Sequence, residues 1–198
     1  MSSLEELHAS KDEWRRALLR RRAEVPETTR SADAAALRDA ALNWADERGT
    51  GVVAAYVPVT SEPGSLDLLD ALRAAGRRVL LPVVTGARPL DWADYTGPES
   101  LAPARFGLLE PVGPRLGAEA VGAAGAVLVP ALGIDHRGVR LGRGAGHYDR
   151  SLPLTAPGAV LIGVVRDPEF VPELPGEPHD VRMTAVLTPG SGVRGLPM

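Results

Sequence analysis

The sequence predicts an α/β fold, an open and mostly parallel sheet with flanking helices. Two observations carry that prediction. Continuous apolar runs recur at residues 52–57, 79–82, 126–129 and 159–165, and unbroken runs of this kind mark strands buried on both faces. Helical stretches alternate with the earlier of these runs, the pattern of parallel sheets with helical crossovers. A chain of 198 residues with 44% hydrophobic content is long and apolar enough for one sizeable core.

The first helix is expected over residues 4–23. That stretch is rich in Leu, Ala, Arg and Glu, lacks Gly and Pro, and stops before Pro26. Leu4, Leu7, Trp14, Leu18 and Leu19 give it an apolar stripe. A second helix is expected over 30–48, capped by Thr29 or Ser31 and stopped by Gly49. The strand at 52–57 comes next, then the Pro63-Gly64 turn. Ser65 caps a helix bearing Leu66, Leu69 and Leu72, closed by Gly76. The strand at 79–82 precedes a Pro/Gly-rich stretch over 85–117. Strands at 126–129 and 159–165 follow, and a short last one at 186–188. The expectation is one domain over 1–198, with 189–198 as a loose tail.

Composition removes several function classes. With no cysteine, disulfides, zinc thiolates and a cysteine nucleophile are excluded. A net charge of −3 gives no electrostatic case for a nucleic-acid partner. No apolar run reaches the roughly 18 residues of a membrane span, so no membrane partner is expected and the expected address is cytoplasmic. Lys11 is the single lysine among twenty-one arginines. Two readings stand for it: survival by chance on an exposed helix, or a place where a compact ammonium is required and a planar guanidinium is not.

The most informative stretch runs from Gly138 to Arg150: Gly-Val-Arg-Leu-Gly-Arg-Gly-Ala-Gly-His-Tyr-Asp-Arg. Glycines at 142, 144 and 146 free the backbone for positive φ and for close approach to a ligand. A glycine-rich run leading into a short helix suits an anion, and Arg140 and Arg143 add fork-shaped donors for phosphate oxygens. It is neither a Walker loop nor the dinucleotide fingerprint. A plain surface turn is the competing reading. For Asp149 the alternatives are a magnesium ligand, partly through water, and an ion pair with a nearby arginine. For Tyr148 they are a ligand contact and core packing.

This signature resembles that of the 5-formyltetrahydrofolate cyclo-ligase family. Ahead of it lies Val127-Leu128-Val129-Pro130-Ala131-Leu132-Gly133-Ile134-Asp135, in that family's usual order. Lys11, Arg15 and Arg22 match its opening helix. Val57-Pro58-Val59-Thr60-Ser61-Glu62 matches its first strand and folate loop, and Gly107-Leu108-Leu109-Glu110-Pro111 and His179-Asp180-Val181 agree as well. The resemblance spans residues ~11–188 and implies a fold of the sugar-phosphate isomerase and CoA-transferase type. It implies ATP and magnesium, with a reduced folate as substrate. ATP would be held by Lys11, Arg15, Arg140, Leu141, Gly142, Arg143, Gly144, Ala145, Gly146, His147 and Tyr148. Val59, Glu62 and His147 would contact the folate, Asp149 would serve magnesium, and Lys11 and Arg143 would be the catalytic cations. A monomer or weak dimer is expected.

Three departures from the family pattern stand out. Ala145 replaces a common second loop lysine, His147 replaces the first aromatic of a pair, and the region near Thr184 lacks a carboxylate. Three rival readings follow: a sugar-phosphate enzyme on the same fold, a non-catalytic folate or nucleotide binder, and an interaction patch at Arg20-Arg21-Arg22. The last is weakened by the ordinary solvation of charged helix faces.

Overall fold

The computed structural model describes residues 10–104 and 107–198. The expected helical turn at 4–9, with Leu4 and Leu7, lies outside the described residues. Ser10 starts α1 (Lys11–Ala23) through a capping box: its hydroxyl accepts from the Glu13 N–H while the Glu13 carboxylate accepts from the Ser10 N–H. Trp14 and Leu18 are buried, whereas Leu19 is 38% exposed and leaves the apolar stripe. Helix α2 (Glu27–Arg48) begins directly after Pro26, with no side-chain cap from Thr29 or Ser31, and Gly49 ends it in the left-handed conformation.

Strand β1 (Val52–Ala54) is shorter than its apolar run. Helix α3 (Leu66–Ala74) follows Ser65, whose side chain makes no cap bond, and closes at Ala75 and Gly76. Strand β2 (Arg78–Val83) pairs with β3 (Asp91–Asp94), so the Pro/Gly-rich stretch carries a strand. The same stretch holds the hairpin β4 (Leu101–Pro103) and β5 (Leu109–Pro111). After β6 (Ala126–Pro130) come β7 (Gly133–Asp135), β8 (Arg140–Leu141) and α4 (His147–Ser151). Strands β9 (Val160–Val164), β10 (Phe170–Val171), β11 (Ala185–Thr188) and β12 (Gly192–Gly195) complete the order.

The main sheet has the order β12-β11-β9-β6-β1-β2-β3. Its five inner strands run parallel and its two edges are antiparallel. Side-chain alternation divides the core. Val53, Ala55, Ala126 and Leu128 face α2 and α3, while Ala54, Val127 and Val129 face Trp92, Val121 and Leu152 on the other side.

The expected loose tail is corrected here. Residues 192–195 pair antiparallel with β11, the Leu196 N–H donates to the Thr184 carbonyl, and the Met198 N–H donates to that of His136. Unmet backbone groups along β11 favour that pairing, and a stretch of only Gly-Val-Arg-Gly carries no apolar pattern to announce it. No helix among the described residues is long and apolar enough to cross a membrane.

The small sheet β10-β7-β8 is the platform for α1. Trp14 and Leu18 pack against Leu132, Val139, Leu141, Val171 and Leu174. Burying each large side chain is worth roughly 1.5–3 kcal/mol. The helix bearing Lys11 and Arg15 is thereby fastened to the strand that runs into the glycine loop.

Candidate active site

Three of the loops that leave the carboxyl ends of the parallel strands are 55–65 after β1, 131–159 after β6 and 165–184 after β9. Ligand sites in open α/β sheets form at this edge, and the expected site residues lie in these loops or on α1, which packs beside them.

The glycine loop is set by the hairpin before it. Asp135, fully buried, accepts at Oδ1 from the N–H groups of Arg137 and Val139 and at Oδ2 from the Leu174 N–H and the Arg137 side chain. A carboxylate with this many donors locks the β7–β8 turn. Gly144 and Gly146 then take φ of 101° and 69°, which side-chain-bearing residues rarely adopt. Leu141 is buried and anchors the strand below them.

Helix α1 meets this loop directly. The Arg15 Nε donates to the Gly142 carbonyl at 3.0 Å, and a Cβ on Gly144 would lie 3.5 Å from the Arg15 guanidinium. One turn earlier, the Lys11 Nζ lies 3.0 Å from Asp180 and 3.1 Å from Glu177. Arg143 crosses to the loop after β1, its Nε donating to Glu62 Oε1 at 3.1 Å. Glu62 is held in turn by the Val59 N–H, across a tight turn in which Thr60 has a φ of 51°.

Not every expected phosphate ligand faces open space. The Arg140 side chain is only 7% exposed. Its Nη2 donates to both oxygens of Asp149 at 3.2 Å, and its guanidinium lies 5.6 Å from the centre of the Tyr148 ring. In this structure the ion-pair alternative for Asp149 is therefore realised. Tyr148 packs against the core beside Leu152, and burial raises its phenol pKa well above the usual range, with the Glu62 charge adding to the effect. At the departure from the family pattern, the Ala145 carbonyl accepts from Arg150. His147 has its pKa lowered by burial and then by Arg150. Arg150 donates to its Nδ1 at 3.3 Å, which leaves the ring hydrogen on Nε2. The Thr184 hydroxyl is bound to the backbone of Leu161 in β9.

A sequence model of the 5-formyltetrahydrofolate cyclo-ligase family matches residues 7–189. The chain belongs to that family. A 5-formyltetrahydrofolate cyclo-ligase of Mycolicibacterium smegmatis is 50% identical over 194 residues, covering 94% of this chain and 97% of that protein. The Escherichia coli K12 cyclo-ligase is 31% identical, covering 69% of this chain and 77% of its own. The NMR structure of Aquifex aeolicus 5,10-methenyltetrahydrofolate synthetase superposes with a TM-score of 0.75 at 26% identity, covering 95% of this chain and 93% of that one. A methenyltetrahydrofolate synthetase from Mycoplasma pneumoniae shares the fold at a TM-score of 0.72 and 18% identity, covering 90% and 98%.

Within this cyclo-ligase scaffold the structure links the α1 helix, the glycine loop and Glu62, and nothing in the sequence pointed to what holds Lys11. Its partners Glu177 and Asp180 lie 166 and 169 residues along the chain, and the His179-Asp180-Val181 match gave them no role.

That clasp has a pH signature. Burial disfavours the Lys11 ammonium, but its bonds to Asp180 and Glu177 outweigh burial and hold its pKa above the ordinary 10.5. Burial also opposes ionisation of Asp180, yet the Glu177 N–H and Lys11 together bring it below the ordinary 3.8. The Lys11 contribution to stability is full below 10.5 and is lost as pH rises through the folded value. The Asp180 contribution is present above 3.8 and is lost as pH falls through its folded value. Urea unfolding of Asp180→Asn should show a stability deficit at about pH 7 that shrinks towards about pH 3. A deficit independent of pH would disprove the clasp.

Proposed function

We propose that this chain catalyses ATP-dependent closure of 5-formyltetrahydrofolate to 5,10-methenyltetrahydrofolate, releasing ADP and phosphate. One observation carries the reading: the cationic face of α1, the glycine loop and the Glu62 loop are joined by direct side-chain bonds, Arg15 to Gly142 and Arg143 to Glu62. A triphosphate on the loop and a folate against Glu62 would then lie side by side.

The chemistry asks little of the protein beyond placement and charge. The formyl oxygen on N5 is amide-like and partly negative, so it can attack the γ-phosphorus with ADP leaving. The imidate phosphate so formed has an electrophilic carbon. N10 adds to it and gives up its proton, and loss of phosphate, which can carry that proton, leaves the methenyl bridge. Phosphoryl transfer of this type is accelerated by in-line positioning and by cations on the phosphate oxygens. Lys11 and Arg143 supply the cations, and the loop N–H groups supply fixed donors. Arg15, bound through Nε to the loop carbonyl and through Nη1 to Asp12, presents Nη2 beside Gly144. Arg140 contributes by holding Tyr148 and Asp149 in place. Glu62 would accept hydrogen bonds from the pterin ring, with Val59 and His147 beside it.

Magnesium fits as a partner of the nucleotide. Both Asp149 oxygens receive Arg140, but each keeps a free lone pair and the side chain is 31% exposed, which suits a contact through water. Bound there, the ion would add positive charge next to the β- and γ-phosphates. Dependence on ATP and a reduced folate fits a cytoplasmic enzyme, working as a monomer or weak dimer.

The decisive test is absorbance in the methenyl product's band after mixing the protein with 5-formyltetrahydrofolate and magnesium-ATP. Appearance of the band is expected. Its absence, with both ligands bound, would identify a non-catalytic binder. Glu62→Gln should raise the folate KM about 10-fold with the ATP KM nearly unchanged. Equal loss of both affinities would remove Glu62 from the folate side.

A further inference from the structure

We propose that Arg22, Glu169 and Arg166 form a buried charged bridge that fixes the spacing between the phosphate side and the folate side of the site. Arg166 is then a positioning residue for the Glu62 loop. The inference rests on the cyclo-ligase reading above and goes beyond it, because neither arginine is placed against a substrate.

The bridge starts on α1. Arg22 lies seven residues after Arg15, two helical turns on, and so shares its face. Its side chain is 1% exposed, and its Nε and Nη2 donate to the two oxygens of Glu169 at 2.6 and 2.7 Å. The same Nη2 donates to the Ala131 carbonyl at 2.6 Å, in the segment between β6 and β7. One guanidinium thus fastens the cationic helix to the hairpin that leads into the glycine loop.

Glu169 passes the connection on. It ends a short 3-10 turn, Asp167–Glu169, just after β9, and its Oε2 accepts from the Arg166 N–H at 2.9 Å. The Arg166 side chain, 7% exposed, donates from Nη1 to the Ser61 carbonyl at 2.9 Å and from Nε to Asp33 of α2 at 3.0 Å. Ser61 immediately precedes Glu62. One carboxylate therefore connects the segments that carry Arg15, the glycine loop and Glu62.

A buried ion pair is seldom more stabilising than apolar residues of the same volume. Its benefit here is geometric. Forked, charge-assisted bonds fix both distance and direction, whereas apolar contacts can slide. Lysine could not replace Arg166, since one ammonium cannot span Asp33 and the Ser61 carbonyl with the same fork. Transfer between two bound substrates is sensitive to such spacing, because misplacement by about 1 Å can cost on the order of 100-fold.

The test is steady-state kinetics of Arg166→Lys and Glu169→Gln in the full chain, with thermal unfolding of each. Arg166→Lys should raise the 5-formyltetrahydrofolate KM about 10-fold while the ATP KM moves less than about 2-fold, since Arg22 still ties α1 to Glu169. Glu169→Gln should raise both KM values. A folded Arg166→Lys with both KM values unchanged, or both raised equally, overturns the bridge and leaves it a stability element. If Glu169→Gln does not fold, Arg166→Lys decides alone. A wild-type chain that binds ligands but forms no product overturns the cyclo-ligase reading, and the bridge with it, before any variant is compared.

Discussion

Lys11→Ala should lower kcat/KM at least about 10-fold, the loss of about 1.4 kcal/mol or more of transition-state stabilisation. Two effects act in the same direction. The substitution removes the ammonium that would neutralise phosphate oxygens. It also leaves Asp180 and Glu177, now without their lysine, as negative charge beside the same oxygens. In the structure these carboxylates hold the ammonium at 3.0 and 3.1 Å. Initial rates of methenyl formation check this, with Lys11→Arg as the companion variant. Arginine keeps the charge but spreads it over a wider planar group, so partial recovery is expected. Unchanged kinetics in Lys11→Ala would remove that residue from the site.

The second large effect is on stability. Glu169→Ala should cost about 3–5 kcal/mol, because it leaves the Arg22 guanidinium buried without its counter-charge. For a chain of this size each kcal/mol lowers the unfolding midpoint by roughly 2–4 °C, so thermal and urea unfolding both register it. The exposed pair Arg38–Asp39 is the contrast: removing Asp39 should change stability by less than about 1 kcal/mol. If the two substitutions cost the same, Arg22 has found another partner and the buried pair is not the anchor of α1.

Much of this was legible in the chain, for identifiable reasons. Buried parallel strands must be apolar on both faces, so β2, β6 and β9 show as runs. Gly49 and the loop glycines mark backbone shapes that other residues avoid. What escaped was pairing at long range. Nothing local tells Arg22 that its partner is Glu169, or Lys11 that its partner is Asp180. For Asp149 the sequence left a magnesium contact and an ion pair with an arginine both open, and the fold identifies the paired arginine as Arg140. Strand β3 was missed for another reason. Asp91-Trp92-Ala93-Asp94 is polar at both ends and lies in a stretch dominated by proline and glycine, so the edge of the sheet, not its own pattern, decides its structure.

The hairpin at the carboxyl terminus bears on how the chain can be handled. Residues 192–195 cover the outer side of β11, whose four residues are all buried. Trimming the chain at Pro189 would turn Ala-Val-Leu-Thr into a bare, uncharged rim with open N–H and C=O groups, the kind of surface on which neighbouring molecules zip together. Removing residues 189–198 should therefore raise the tendency of the protein to self-associate, which light scattering of the shortened chain would register.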